Sequence, residues 1–197
     1  MTDQSEGLTS RFTEGVIYCL ELHGSQTRKL RPTPYVAHLF SVSALVLEDG
    51  GDEDETIAAL LHDALEDQPE KTSPEEIKRR FGDRVLTIVQ ACTDTPPDYR
   101  GGSKPSWELR KKAYLAHLRH AGNRVALADK LHNARELLSD YRSQGDIIWN
   151  SFNAGKQKQL WFWRSLVAAF RAGGSSGRML DELERAVTEL ETLGESG

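Results

Sequence analysis

Residues 60–67 read LLHDALED, and the fold turns on how this stretch is taken. With TIAA before it, residues 56–67 place Ile57, Leu60, Leu61, Ala64 and Leu65 at spacings of three and four, the mark of one apolar helical stripe. His62, Asp63, Glu66 and Asp67 fall on the opposite half of the wheel. A solvated acidic face is the ordinary reading of such a half. Three carboxylates beside one imidazole nevertheless repel one another unless a cation or a proton sits among them. The acids from Asp52 to Glu55 suit the positive N-terminal end of this helix.

Outward from this helix the periodicity stays helical, with no turn-bounded strand alternation. Toward the N-terminus the pattern predicts a helix over 9–22 that stops at His23-Gly24. The polar, basic stretch SQTRKLRPT, 25–33, reads as a loop. Thr33 as N-cap and Pro34 at the first helical position open a second helix, which runs to Leu47. Toward the C-terminus, Ser73-Pro74 starts another helix, and a further one follows Gly82. Residues 93–106, TDTPPDYRGGSKPS, are rich in proline and glycine and read as a loop. Helices resume over 107–120, 122–143, 156–171 and 178–193, with GGSSG at 173–177 as a hinge.

Two more helices carry donors. Residues 34–47, PYVAHLFSVSALVL, are apolar nearly all round, which buries His38; a buried imidazole needs a hydrogen bond or a metal. A lone buried histidine is more often a satisfied core group than a ligand. In 123–143, Leu127, Leu131, Ala134 and Leu138 form the apolar stripe, while Asp129, His132, Asn133 and Glu136 share the other face. Alone, that face too reads as hydrated. Together, two histidines and two aspartates ordered His…His-Asp…Asp supply nitrogen and oxygen donors suited to Mn²⁺, Fe²⁺ or Mg²⁺. No cysteine joins them, which argues against structural zinc.

The 197 residues are 38% hydrophobic and 28% charged, with a formal net charge of -5. This is globular composition, and its acidity disfavours indiscriminate nucleic-acid binding, which rests on neutralised phosphates. Cys19 and Cys92 lack metal spacing and sit among apolar neighbours as core thiols. No basic-then-apolar leader opens the sequence, and no apolar run approaches the ~20 residues of a membrane span, so the expectation is a cytoplasmic protein with no membrane partner.

At this point the sequence resembles the HD superfamily of metal-dependent phosphohydrolases, whose pattern is this order of ligands. LLHDALED at 60–67, EEIKRRFGDRVLTIVQACTD at 75–94, VALADKLHNARELL at 125–138 and RKLRPTPYVAH at 28–38 are similar to the hydrolase domain of bifunctional alarmone enzymes and to the small hydrolases that consist of that domain. The resemblance implies an all-α HD-domain helical bundle, with residues 1–145 as the hydrolase core and 146–197 as C-terminal helices packing on or extending it. It implies hydrolysis of guanosine 3′-pyrophosphate alarmones, (p)ppGpp, to GDP or GTP and pyrophosphate, and suggests pairing with a toxic alarmone synthetase. His38, His62, Asp63 and Asp129 would bind one Mn²⁺. Glu66 with Asp67 would orient and deprotonate water. Arg28 would stack on the guanine, Lys29 would pair with phosphate, and Asn133 would contact the nucleotide.

Three departures leave those ligands intact but bear on substrate choice. Leu39 follows the first histidine where the family has proline, Gln68 follows the acidic pair where it has threonine, and Glu136 stands where it has threonine. The competing readings are an HD hydrolase acting on another pyrophosphorylated nucleotide or a nucleoside monophosphate, and a non-catalytic helical adaptor with a vestigial site. An intact ligand set argues against the adaptor.

Overall fold

The computed structural model describes residues 7–28, 32–93, 105–120 and 123–195. Among them the regular structure is helical, apart from one isolated antiparallel bridge between Thr27 and Pro34. The chain divides into two compact units: residues 1–93 with 124–126, and residues 94–123 with 127–197.

The first unit is built round a short helix. α1 (Ser10–His23) is capped by Thr9, whose side chain accepts from the Arg11 amide, and closes at Gly24. α2 (Val36–Glu48) and α3 (Glu53–Leu61) follow, then a single turn, α4 (Ala64–Asp67), then α5 (Pro74–Phe81) and α6 (Asp83–Cys92). At nine residues α3 is too short to hold itself together, since isolated helices below ~12–15 residues are marginal in water. Burial supplies the difference. Ile57, Ala58, Ala59, Leu60 and Leu61 are all enclosed as α3 packs against α1, α2 and α6, and each large aliphatic contributes roughly 1.5–3 kcal/mol. Burial therefore extends past the expected single stripe to every residue from Thr56 to Leu61, while the first turn, Glu53 to Glu55, stays partly exposed. Asp52 and Glu55 form a reciprocal capping box at its start. Just before it, Gly51 is required: a Cβ there would collide with the side chain and carbonyl of Val46. Arg124 ties the start of α8 (Arg124–Gln144) to this unit through Asp49 at 3.0 Å and Glu55 at 2.6 Å.

Two boundaries differ from the sequence reading. The second helix does not open on a Thr33 cap: it starts at Val36 behind Tyr35, with no side-chain cap. Strand-like pairing wins here, because the Arg28 amide donates to the Thr33 carbonyl at 2.9 Å and the Tyr35 amide to the Gln26 carbonyl at 2.8 Å. The third helix is not continuous either, and breaks at His62-Asp63.

In the second unit, α7 (Trp107–His120) and α10 (Arg178–Glu195) both pack on α9 (Gly155–Ala172), and a 3₁₀ segment (Gly145–Ser151) joins α8 to α9. Leu166, Phe170, Met179, Leu183 and Leu190 form its core. Both cysteines are buried, as the sequence implied, and burial pushes the Cys19 thiol up to about 12. The Thr93–Ser106 loop falls largely outside the described residues. No described helix is long and apolar enough to cross a membrane.

Candidate metal centre

α3 stops at Leu61, and His62 and Asp63 occupy a bent junction before the single turn of α4. Asp63 stands at the N-cap of α4, yet its carboxylate makes no capping bond. It turns instead toward two imidazoles and a phenol. His62 Nε2 lies 3.0 Å from Asp63 Oδ2 and His38 Nε2 lies 3.9 Å from the same oxygen. A ligating nitrogen of each histidine lies within 4.8 Å of the other, and both side chains are about 1% exposed.

His62 Nδ1 lies 2.8 Å from the Ala59 carbonyl, which can only accept, so Nδ1 carries the hydrogen and a neutral ring presents its Nε2 lone pair to Asp63. A lone pair facing a carboxylate oxygen at 3.0 Å is repulsive until a cation joins them, either a proton or a metal ion. Two buried imidazole nitrogens and a carboxylate oxygen, with no thiolate, suit a divalent ion of intermediate hardness.

Tyr35 packs into this group. Its hydroxyl donates to Asp63 Oδ2 at 2.5 Å, and its ring lies against His23 and His38 at centroid distances of 5.7 and 5.5 Å. The Arg28 guanidinium carbon lies 5.4 Å from the Tyr35 centroid, which brings Arg28 to the rim of the centre. Lys29 lies outside the described residues.

Glu66 and Asp67, on α4, each accept a side-chain hydrogen bond. Thr93 Oγ1 donates to Glu66 Oε2 at 2.9 Å, and Gln26 Nε2 donates to Asp67 Oδ2 at 2.7 Å. Desolvation of the carboxylate, then the charge of Asp63, push the Asp67 carboxyl above the usual aspartate range, although the residue as a whole keeps solvent on one side. Gln26 also meets His23 Nδ1 at 2.7 Å and accepts from Gln68 Nε2 at 3.0 Å. Burial holds the His23 imidazole below its usual range. Sequence reasoning passed over His23, Gln26, Tyr35 and Thr93. The available signal was weak: His23 ends the first helix and Gln26 lies in the basic loop that follows it.

In the second unit Asp129 is buried on α8. Asn133 Nδ2 donates to its Oδ1 at 2.5 Å, and the Lys130 ammonium pairs with its other oxygen. His132 Nδ1 lies 3.7 Å from Glu136 Oε2. The α8 face read from sequence thus places a buried carboxylate bonded to Asn133 beside the His132–Glu136 pair.

A model of the HD domain matches residues 15–158. Over 130 residues the chain is 37% identical to the guanosine-3′,5′-bis(diphosphate) 3′-pyrophosphohydrolase MESH1 of Xenopus tropicalis, covering 63% of this chain and 68% of that one. MESH1 of Danio rerio is 35% identical over 132 residues, covering 66% and 70%. A solved metazoan ortholog of SpoT, described as hydrolysing ppGpp, superposes with a TM-score of 0.74 over 94% of this chain and 98% of its own; at 24% identity this is likeness of fold. An HD domain implies a divalent metal ion, and His38, His62 and Asp63 have the chemistry to meet one. Matched over most of its length by the domain model, and more than 30% identical to MESH1 relatives over about two thirds of their length, the chain belongs to the HD-domain family.

Proposed function

We propose that this protein is a metal-dependent phosphohydrolase that removes the 3′-pyrophosphate of guanosine alarmones, (p)ppGpp, yielding GDP or GTP and pyrophosphate. The observation that carries the reading is the acidic pair: Glu66 and Asp67 leave the His62-Asp63 junction on one turn, and each is oriented by its own hydrogen-bond donor, unlike a solvated face. The names of the MESH1 relatives support the same substrate class.

In this reading His38, His62, Asp63 and Asp129 hold one Mn²⁺. When bound, that ion polarises a substrate phosphate oxygen and lowers the pKa of the attacking water. Glu66 and Asp67 orient the water and accept its proton. Tyr35 fixes the Asp63 carboxylate, Asn133 fixes that of Asp129, and Asn133 also contacts the nucleotide. Arg28 supplies a planar cation for the guanine and Lys29 a point charge for phosphate. The protein works in the cytoplasm. A role as antidote to a toxic alarmone synthetase follows from the same resemblance, and co-expression with such an enzyme tests it.

Glu136 favours one variant of this reading. Half-buried beside His132 on the face that carries Asp129, it adds a carboxylate where the family has threonine, which bears on the base or phosphate pattern accepted. The deciding experiment incubates the Mn²⁺-loaded protein with ppGpp, its adenosine counterpart and nucleoside monophosphates. Pyrophosphate release from ppGpp is expected. Orthophosphate release from monophosphates alone would replace the alarmone reading with a nucleotidase.

A further inference from the structure

We propose that Gln26, locked in one amide orientation by His23 and Gln68, is a positioning residue that presents the Asp67 carboxylate to the attacking water. The inference rests on the general-base reading of Glu66 and Asp67.

The backbone leaves Asp67 weakly fixed. It ends a helix of one turn, and Gln68 after it has already left helical geometry at φ -130°, ψ 44°. A single turn fixes several dihedrals for little hydrogen bonding, so side chains must hold the carboxylate in place. Gln26 supplies that hold from 41 positions away, in the loop between α1 and α2. The orientation of its amide is determined. An ionised carboxylate only accepts, so Nε2 faces Asp67 Oδ2 at 2.7 Å. Oε1 must then take the other two contacts, from His23 at 2.7 Å and Gln68 at 3.0 Å. This in turn places the His23 hydrogen on Nδ1 and leaves Nε2 bare. That nitrogen is buried and has no hydrogen-bond partner among the described residues. Fully buried polar atoms are normally paired, so a bare nitrogen is a standing loss of stability that the loop tolerates in order to hold Gln26. Gln68 completes the device, and it is the residue that departs from the family's threonine. Asp67 Oδ1 takes no hydrogen bond among the described residues, which leaves it facing solvent as an acceptor.

A loop clasp of purely structural value would make the same three bonds, and a double-mutant cycle separates the two. Mn²⁺-saturated wild type, Gln26→Met, Asp67→Asn and the double variant are assayed for pyrophosphate release from ppGpp. Gln26→Met should lower kcat about ten-fold, the worth of one hydrogen bond to a charged group, with KM and bound Mn²⁺ within about two-fold. On the Asp67→Asn background it should cost less than about two-fold more. In metal-free protein the Gln26 side-chain amide should exchange slowly with solvent, and fast in Asp67→Ala. Should Gln26→Met fail to fold, Gln68→Leu, which removes one of the two donors to Oε1, should lower kcat about three-fold and likewise have no effect on the Asp67→Asn background. An unchanged kcat, a loss confined to KM, or equal losses on both backgrounds overturns the clasp alone. Full kcat in Asp67→Asn overturns the general-base reading, and the clasp with it.

Discussion

At Asp63, backbone and side chain pull apart: the position could cap α4, yet the carboxylate goes to Tyr35 and the two imidazoles. Such a residue is better explained by charge than by helix chemistry, and the same logic sorts its neighbours. Glu66 accepts from the Thr93 hydroxyl at 2.9 Å, a hold that suits a general base. Glu66→Gln should leave Mn²⁺ affinity within a few-fold while kcat falls roughly 10²- to 10⁴-fold; loss of metal in that variant would make Glu66 a ligand. Arg28 lies near the Tyr35 ring at the rim. Arg28→Ala should raise KM about ten-fold with the melting temperature nearly unmoved, and Arg28→Lys should not restore it, because an ammonium lacks the planar face. If KM stays constant for every nucleotide tried, Arg28 only solvates the surface. His38, His62 and Asp63 stand out in sequence as candidate donors, because a histidine in a nearly all-apolar helix and a His-Asp pair opposite an apolar stripe are unusual. His23 and Gln26 were not, because a polar loop residue carries no periodic signal and its partner Asp67 is remote in sequence.

Helix ends were the most readable elements, since caps are local chemistry. Gly24 closes α1, Ser73 accepts from the Glu76 amide ahead of α5, and the acids from Asp52 open α3. The break at His62-Asp63 was not readable. Every residue from Thr56 to Asp67 suits a helix, and the partners that meet Asp63 at the junction, Tyr35 and His38, are remote in sequence. The failed cap at Thr33 has a similar cause: backbone pairing between Gln26, Arg28, Thr33 and Tyr35 outweighs a good local start signal. The Asp52 cap gives a test at this scale. Asp52→Ala deletes the acceptor for the Glu55 amide at 3.0 Å, and the exposed ion pair with Arg84 adds little. The expected loss is about 1 kcal/mol, or roughly 2–4 °C in melting temperature, with kcat within about two-fold of wild type. A comparable fall in kcat would mean that the N-terminal end of α3 governs the geometry of His62 and Asp63 at its other end.

The molecule as a whole is acidic, with 30 carboxylates against 25 Lys and Arg, and yet the substrate read for it is a polyanion. Many arginines are committed to carboxylates: Arg79 and Arg80 to Glu76, Arg142 to Glu189, Arg164 to Glu191, Arg171 to Glu184. These ion pairs offset much of that positive charge, and a bound cation together with Arg28 would supply attraction for phosphate. The same cation resolves the repulsion between the His62 lone pair and Asp63, so it should bind the native state and not the unfolded chain. Mass action then stabilises the fold: at a free Mn²⁺ concentration of about 100 times Kd the gain is roughly 2.7 kcal/mol, or about 5–10 °C for a protein of this size. Adding Mn²⁺ to chelator-treated protein should raise the melting temperature by that amount, and chelator should reverse it. His62→Ala and Asp129→Ala should each abolish the rise, whereas Glu66→Gln should retain it. If Asp129→Ala keeps the full shift, the ion is held by His38, His62 and Asp63 alone and the four-ligand reading fails. If wild type shows no shift, the Asp63 carboxylate and the imidazoles share a proton in place of a metal.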